Sequence, residues 1–466
     1  MKIKHKDLDI DKDEPFKECK LGRFKYADIL TQIVSSYPDG FVLAINNEWG
    51  TGKTTFVKMW QQHLKNQGFK TLYFNAWEND FNNNPLSAMI AELKSLSKND
   101  EIFKSVIEKG AILTKNILPE LLKGLTKKIT GSEELLEIIK NIAQGGTEIL
   151  EEEVKEYTKK KETIVEFQKA LAKYVLEITK NEKAEKKPLV FFIDELDRCR
   201  PSYAVEVLEQ IKHLFSVEGI VFVLSIDKEQ LAHAVRGVYG CEKINTDEYL
   251  RRFIDLEYSI PQPETELFVD YLLDDFSFKD FFMYRDNKYD KYDDFRNMVL
   301  LLFEHYNLTL RQQEKMLGFT RLSLRPFNKE QDIFPSVFFF LVFIKHIFSN
   351  FYIQIKNKEL TCQEFSNEYA NVIRNLITEN EKDNVLWVEA ILLHFYYNDL
   401  YKKFRNSIEP LIILDKKTGR YSTDVKSKYD KNGQELLNVL SDWQNFKDFG
   451  LSYFLEKIDL LENLNT

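Results

Sequence analysis

The run Asn46-Asn47-Glu48-Trp49-Gly50-Thr51-Gly52-Lys53-Thr54-Thr55 carries the residue types that hold phosphate. It fits the pattern GxxxxGK[ST] at every fixed position but the first, where Asn47 replaces glycine. Asparagine visits left-handed backbone angles readily, so a tight turn there tolerates it. Backbone N–H groups from Asn47 through Glu48, Trp49, Gly50 and Thr51 to Gly52, with the start of the following helix, would hold the phosphates. Lys53 would reach the β- and γ-phosphates. The Thr54 hydroxyl would ligate Mg2+, and Thr55 would touch the α-phosphate.

A second group of reactive side chains lies in LVFFIDELDR, residues 189–198. The apolar run puts Asp194 at the C-terminal edge of a buried strand, where ligands sit in open α/β sheets. Asp194 would hold Mg2+ from the side opposite Thr54. The next residue, Glu195, can polarise an attacking water, with Asp197 as the alternative base. The strand 220–226 ends at Ser225-Ile226-Asp227. Where the metal-binding strand neighbours the loop, a polar residue such as Asp227 or Ser225 can meet the γ-phosphate. Asp227 reads equally well as the N-cap of a helix over 229–236. Charge building on the γ-phosphate favours an arginine, and Arg198, Arg251, Arg252 and Arg311 are the candidates. Arg311 is expected to sense phosphate within the chain, and Arg252 or Arg251 to touch phosphate or a neighbouring subunit.

The elements needed to position these residues are legible in the apolar periodicity. Residues 41–46, 70–75, 189–193 and 220–226 read as strands, and 53–64 and 203–216 as helices. Strands alternating with helices imply an α/β fold with a parallel sheet. After Pro261 and Pro263 the pattern turns helical to the end. We expect a core over 1–262, a helical lid-like region over 263–330 and an α-helical C-terminal domain over 331–466. A helical insertion of about 95–186 interrupts the core, with Gly145-Gly146 as its clearest break.

The whole chain has 466 residues, enough for about three domains. With 17 Gly and 11 Pro it is poor in breakers, which argues against a turn-rich all-β fold. A net charge of −9 excludes a globally basic nucleic-acid binder. Four scattered cysteines offer no zinc spacing. The N-terminus shows no secretory signal, and a reduced, cytoplasmic setting fits. The most apolar stretch, 333–344, is too short to span a bilayer and reads as a buried helix. The Asp-, Phe- and Tyr-rich stretch 269–295 reads as a solvated helix and loop with its rings turned inward.

Several separated segments resemble the KAP family of P-loop NTPases, within the STAND and AAA-like ATPases. Leu21-Gly22-Arg23 resembles the family's N-terminal box, which lies near the nucleotide base. Glu48-Trp49-Gly50-Thr51-Gly52-Lys53-Thr54 resembles its Trp-containing loop, and Phe74-Asn75-Ala76-Trp77 its second-strand signature. Asp194-Glu195-Leu196-Asp197-Arg198-Cys199 resembles its metal-binding segment. Tyr249-Leu250-Arg251-Arg252-Phe253 and Leu308-Thr309-Leu310-Arg311 resemble the stretch before the sheet ends and the lid. Asn75 is then a candidate contact to phosphate or to the attacking water, and Trp77 is expected to fill the core. Many relatives carry transmembrane helices within the insertion. Here Lys104, Lys109, Lys115, Lys123, Lys127 and Lys128 make it too charged for a span. It reads as a helical hairpin on the core, with a membrane-surface helix within 103–128 as the alternative.

The resemblance implies a Mg2+-dependent ATPase that acts as a conformational or assembly switch. It also implies a bacterial setting, since relatives occur in phage defence or plasmid exclusion. ATP and Mg2+ are the implied cofactors. A homo-oligomer through the core or the insertion is expected, with room for a partner effector protein. Nucleic acid stays open as a partner without support from the charge. The alternatives are a nucleotide-gated scaffold, a phosphotransferase and a DNA-linked motor. Glu195 beside Asp194 disfavours the phosphotransferase.

Overall fold

The computed structural model describes residues 9–460 apart from 83, 97–99, 117–145, 181–185, 242, 285–290, 329–330, 332, 375–376, 405–407, 417–418, 431–433 and 444–448. Two compact units result, Lys6–Gln262 and the chain from Pro263 onward.

The first unit is built on five parallel strands: β1 (Val42–Asn46), β2 (Lys70–Asn75), β3 (Leu189–Asp194), β4 (Ile220–Ile226) and β5 (Leu256–Tyr258). Their order across the sheet is β2-β3-β4-β1-β5. The two strands with unbroken apolar runs, β3 and β4, are buried along their whole length, as central parallel strands must be. The short β5 closes one edge, and the sequence shows little sign of it.

Alternation along β3 feeds two cores. Val190 and Phe192 face α1 (Phe24–Ser36) and α2 (Lys53–Asn66), where Leu30, Val34, Phe56 and Trp60 meet them. Trp60 is fully buried and donates its indole N–H to Thr31 Oγ1 at 2.9 Å, so its one polar atom is satisfied. Phe191 and Ile193 face the other layer: α3 (Ala76–Asn79), α4 (Pro85–Lys94), α5 (Asp100–Asn116), α6 (Gly146–Thr179), α7 (Pro201–His213), α8 (Lys228–Tyr239) and α9 (Thr246–Leu250). Within the insertion α5 and α6 run antiparallel. Phe103 meets Tyr174 at 5.4 Å between ring centroids, and Lys109 pairs with Glu166 further along. Phe103, Val106, Leu113, Phe167 and Leu171 join the core beneath the sheet. Gly145 and much of the alternative membrane-surface segment, residues 117–128, lie outside the described residues.

The second unit contains α10 (Thr265–Asp275), α11 (Phe278–Met283), α12 (Tyr292–Tyr306), α13 (Leu310–Ser323), α14 (Pro335–Ile347), α15 (Ser349–Asn357), α16 (Cys362–Ile373), α17 (Glu379–Phe404), α18 (Gln434–Asp442) and α19 (Leu451–Leu460). It also holds a small antiparallel pair, Ile413–Leu414 with Tyr421–Ser422, which the helical reading missed. Phe295 and Phe303 on α12 meet Phe339 on α14 at 5.9 and 5.6 Å. The division expected at residue 330 therefore falls inside one shared core. The apolar stretch is α14, buried from Pro335 to Ile344. No single described helix is long and apolar enough to cross a membrane, and the chain bends by 118° between α14 and α15. Of the rings in the 269–295 stretch, Phe278, Phe281, Phe282 and Phe295 pack inward while Tyr284 is exposed, with 285–290 outside the described residues.

Candidate functional site

Parallel strands end at one edge, and the loops there collect the reactive residues. The loop after β1 turns at Gly50 (φ 83°) and Gly52 (φ 80°), angles that favour glycine, before α2 begins at Lys53. Asn47 does not adopt the left-handed angle expected of it. It earns its place with its side chain. Asn47 Nδ2 donates to the Ile260 carbonyl at 2.8 Å, and Oδ1 accepts from the Ile260 N–H at 2.9 Å. Two bonds thus tie the loop to the chain just past β5.

Lys53 is nearly buried. Its ammonium donates to the carbonyls of Asn47 and, at 3.0 Å, Glu48. Burial pulls its pKa down, while Asp197, Asp227 and Asp194 pull it back up. Thr51 Oγ1 donates to the Glu48 carbonyl at 2.8 Å. Thr54 and Thr55 are half-buried in the first turn of α2, whose leading N–H groups have no helical acceptor. Arg23, from the N-terminal box, is buried and donates to the carbonyls of Thr51 (2.8 Å) and Gly52 (3.3 Å). Gly22 beside it has φ 62°, and Leu21 is half-buried.

The carboxylates occupy the end of β3. Asp194 is 1% exposed and sits in register with Asn75 on β2 and Ser225 on β4. Its Oδ2 accepts from Tyr73 at 2.8 Å, and its Oδ1 from the Glu195 N–H at 3.0 Å. Glu195 has φ 60°, a left-handed angle that costs a non-glycine residue on the order of 1 kcal/mol or more. Its Oε1 pairs with Arg198 at 2.7 Å, and its Oε2 accepts from Asn75 Nδ2 at 3.5 Å. Burial pushes the Glu195 carboxyl up, and Arg198 holds it back. Asp197 is raised by burial too, opposed by the Trp49 indole N–H that it accepts.

A model of the KAP family P-loop domain matches residues 23–318. The chain belongs to this family. A curated relative, the phage T7 exclusion protein of Escherichia coli (strain K12), is 22% identical over 230 residues. That match covers 48% of this chain, and the chain spans 30% of the relative's length. Solved structures that the chain matches include the Aeropyrum pernix ORC2 protein in ADPNP and ADP complexes, at 14% identity and a TM-score of 0.35, covering 90% of this chain and 94% of that one. The Aeropyrum pernix ORC1 protein in complex with DNA is 11% identical at a TM-score of 0.33, covering 94% of each chain.

Within the KAP core, β4 lies between β1 and β3, so the strand that carries Asp194 is one place removed from the loop strand. Ser225, on that interposed strand, is 1% exposed and its hydroxyl has no hydrogen-bond partner. Asp227 caps α8, accepting from the N–H groups of Glu229 (3.2 Å) and Gln230 (3.3 Å). Asn75 caps α3 through its Oδ1 and reaches Glu195 with its Nδ2. Trp77 is 54% exposed, which corrects its assignment to the core. It is the second residue of a four-residue helix, and its ring lies beneath the Arg198 guanidinium at 5.7 Å.

Arg251 and Arg252 precede β5 and lie at the N-terminal edge of the sheet, opposite the loop. Arg252 lines a cleft of about 610 Å3 with Asp39, Lys212, Phe253 and Asp255. Contact from either arginine to a nucleotide in the same chain's loop does not fit this placement. Arg311 is exposed in the first turn of α13, in the second unit. Tyr73 and the Trp49–Asp197 bond were missed in the sequence. The signal for Tyr73 was its position two residues before Asn75, on the same face of β2.

The residues present fit a magnesium nucleotide. Thr54 and Asp194 are hard oxygen donors of the kind Mg2+ takes, and the buried Ser225 hydroxyl lacks a partner.

Proposed function

We propose that this KAP-family chain is a Mg2+-dependent ATPase whose cycle switches a conformation or an assembly, in bacterial defence against phage. Asp194 beside Glu195, at the same sheet edge as Lys53, carries this reading. The loop amides and Lys53 bind the phosphates, and Thr54 and Asp194 would hold the metal. Mg2+ would supply neutralisation of the charge that builds on the phosphate oxygens. Glu195 accepts a proton as water attacks the γ-phosphorus, and the bridging oxygen leaves with ADP. Arg23 fixes the loop from behind, and Ser225 and Asn75 are candidates to meet the γ-phosphate or the water. Arg311 remains a candidate sensor, and Arg252 a contact to a second subunit.

The phage setting draws support from the name of the curated relative. Since the chain spans 30% of that protein, its output is proposed for this chain alone. Self-association through the core or the α5–α6 hairpin would transmit the switch. Mass photometry with and without ATP tests it, and a monomer under both conditions contradicts it.

A second reading, a nucleotide-gated scaffold with negligible turnover, has one observation in its favour: Arg198 already occupies Oε1 of Glu195. Turnover of purified protein with Mg2+ and ATP, alone and with DNA or RNA, decides between them. Phosphate release above background supports the ATPase. Tight ATP binding without release supports the scaffold.

A further inference from the structure

The Glu195 side chain is held from two sides. Arg198 takes Oε1 at 2.7 Å from the short helical turn Leu196–Arg198, while the Asn75 amide approaches Oε2 more loosely at 3.5 Å. Oε2 is thus the oxygen with room for a water. The Arg198 guanidinium is itself braced, 5.7 Å from the centre of the exposed Trp77 ring. A planar cation stacked on indole keeps its fork oriented, which a lysine ammonium does not do.

We propose that Arg198, braced on Trp77, is a positioning residue for hydrolysis, fixing the Glu195 carboxylate so that one oxygen faces the attacking water. This rests on the reading of Glu195 as the base. It assigns Arg198 to Glu195 rather than to the γ-phosphate, and gives the exposed Trp77 a task in the site.

The test is steady-state ATP turnover for wild type, R198A, R198K and W77A, with R198A repeated in single turnover in the E195Q background. R198A is expected to lower kcat about 10- to 100-fold, with KM changed little. R198K keeps the charge without the planar fork and should leave kcat reduced. W77A should reduce kcat in the same sense, with KM again changed little. In the E195Q background R198A should cost nothing further. An equal loss there would show that Arg198 acts on phosphate directly and would overturn the proposal. So would an R198A protein, folded by its melting curve, with unchanged or raised kcat. Wild-type turnover in E195Q itself would instead remove the general-base reading.

Discussion

The Lys53 ammonium donates to the Glu48 carbonyl at 3.0 Å and to the Asn47 carbonyl, so the loop's only lysine is folded back onto its own backbone. A phosphate entering the loop must replace those carbonyls as its partners. The exchange is favourable because a phosphate oxygen carries the charge that a carbonyl lacks. Lys53→Ala should therefore weaken ATP binding by about 1.5–3 kcal/mol, roughly 10- to 100-fold in Kd. Isothermal titration with a non-hydrolysed ATP analogue measures it, and an unchanged Kd would contradict it.

Asn47 holds Ile260 through two hydrogen bonds of 2.8 and 2.9 Å. Restoring the usual glycine removes both. Asn47→Gly should lower unfolding stability by about 1–3 kcal/mol and leave ATP affinity within a few-fold. Paired denaturant melts and binding isotherms check this. A variant as stable as wild type would show that the clamp is idle.

Tyr73 donates to Asp194 at 2.8 Å. Tyr73→Phe leaves a buried carboxylate oxygen with one partner fewer, and frees Asp194 to rotate. The Mg2+ concentration for half-maximal turnover should rise several-fold, with about 1 kcal/mol of stability lost. A magnesium titration of turnover reads the first, and a melting curve the second.

In the second unit, Glu389 on α17 is fully buried and accepts from Ser366 and Ser427, each at 2.5 Å. Burial pushes its carboxyl up to about 7 from an ordinary 4.5. The folded state holds this proton more tightly than the unfolded chain. The associated stability is fully present below 4.5 and is lost as pH rises through about 7. It amounts to on the order of 3 kcal/mol. Melting temperature should fall between pH 5 and pH 8, and Glu389→Gln should flatten much of that fall. Glu206 on α7, also raised to about 7 by burial, accounts for a parallel term in the first unit.

The loop and β3 were legible because phosphate chemistry demands specific residue types at fixed spacing, and buried parallel strands demand continuous apolar runs. The interposition of β4 was not, since strand order leaves no local pattern. Trp77 misled because a Trp next to a buried strand looks like core. The strand ends at Asn75, and the short helix that follows turns the ring outward onto Arg198. Asn47 looked like a substitute for a glycine angle, whereas its partner Ile260 lies more than two hundred residues away. The placement of Arg252 opposite the loop follows from β5, a three-residue strand too short to announce itself.

The central claim is that Glu195 activates water at a nucleotide held by the loop. Glu195→Gln removes the base and keeps the shape of the side chain. Its ATP turnover, measured beside its ATP affinity, is the most direct test. The account predicts a loss of about 10²- to 10⁴-fold in turnover with ATP binding retained. Turnover equal to wild type would contradict it.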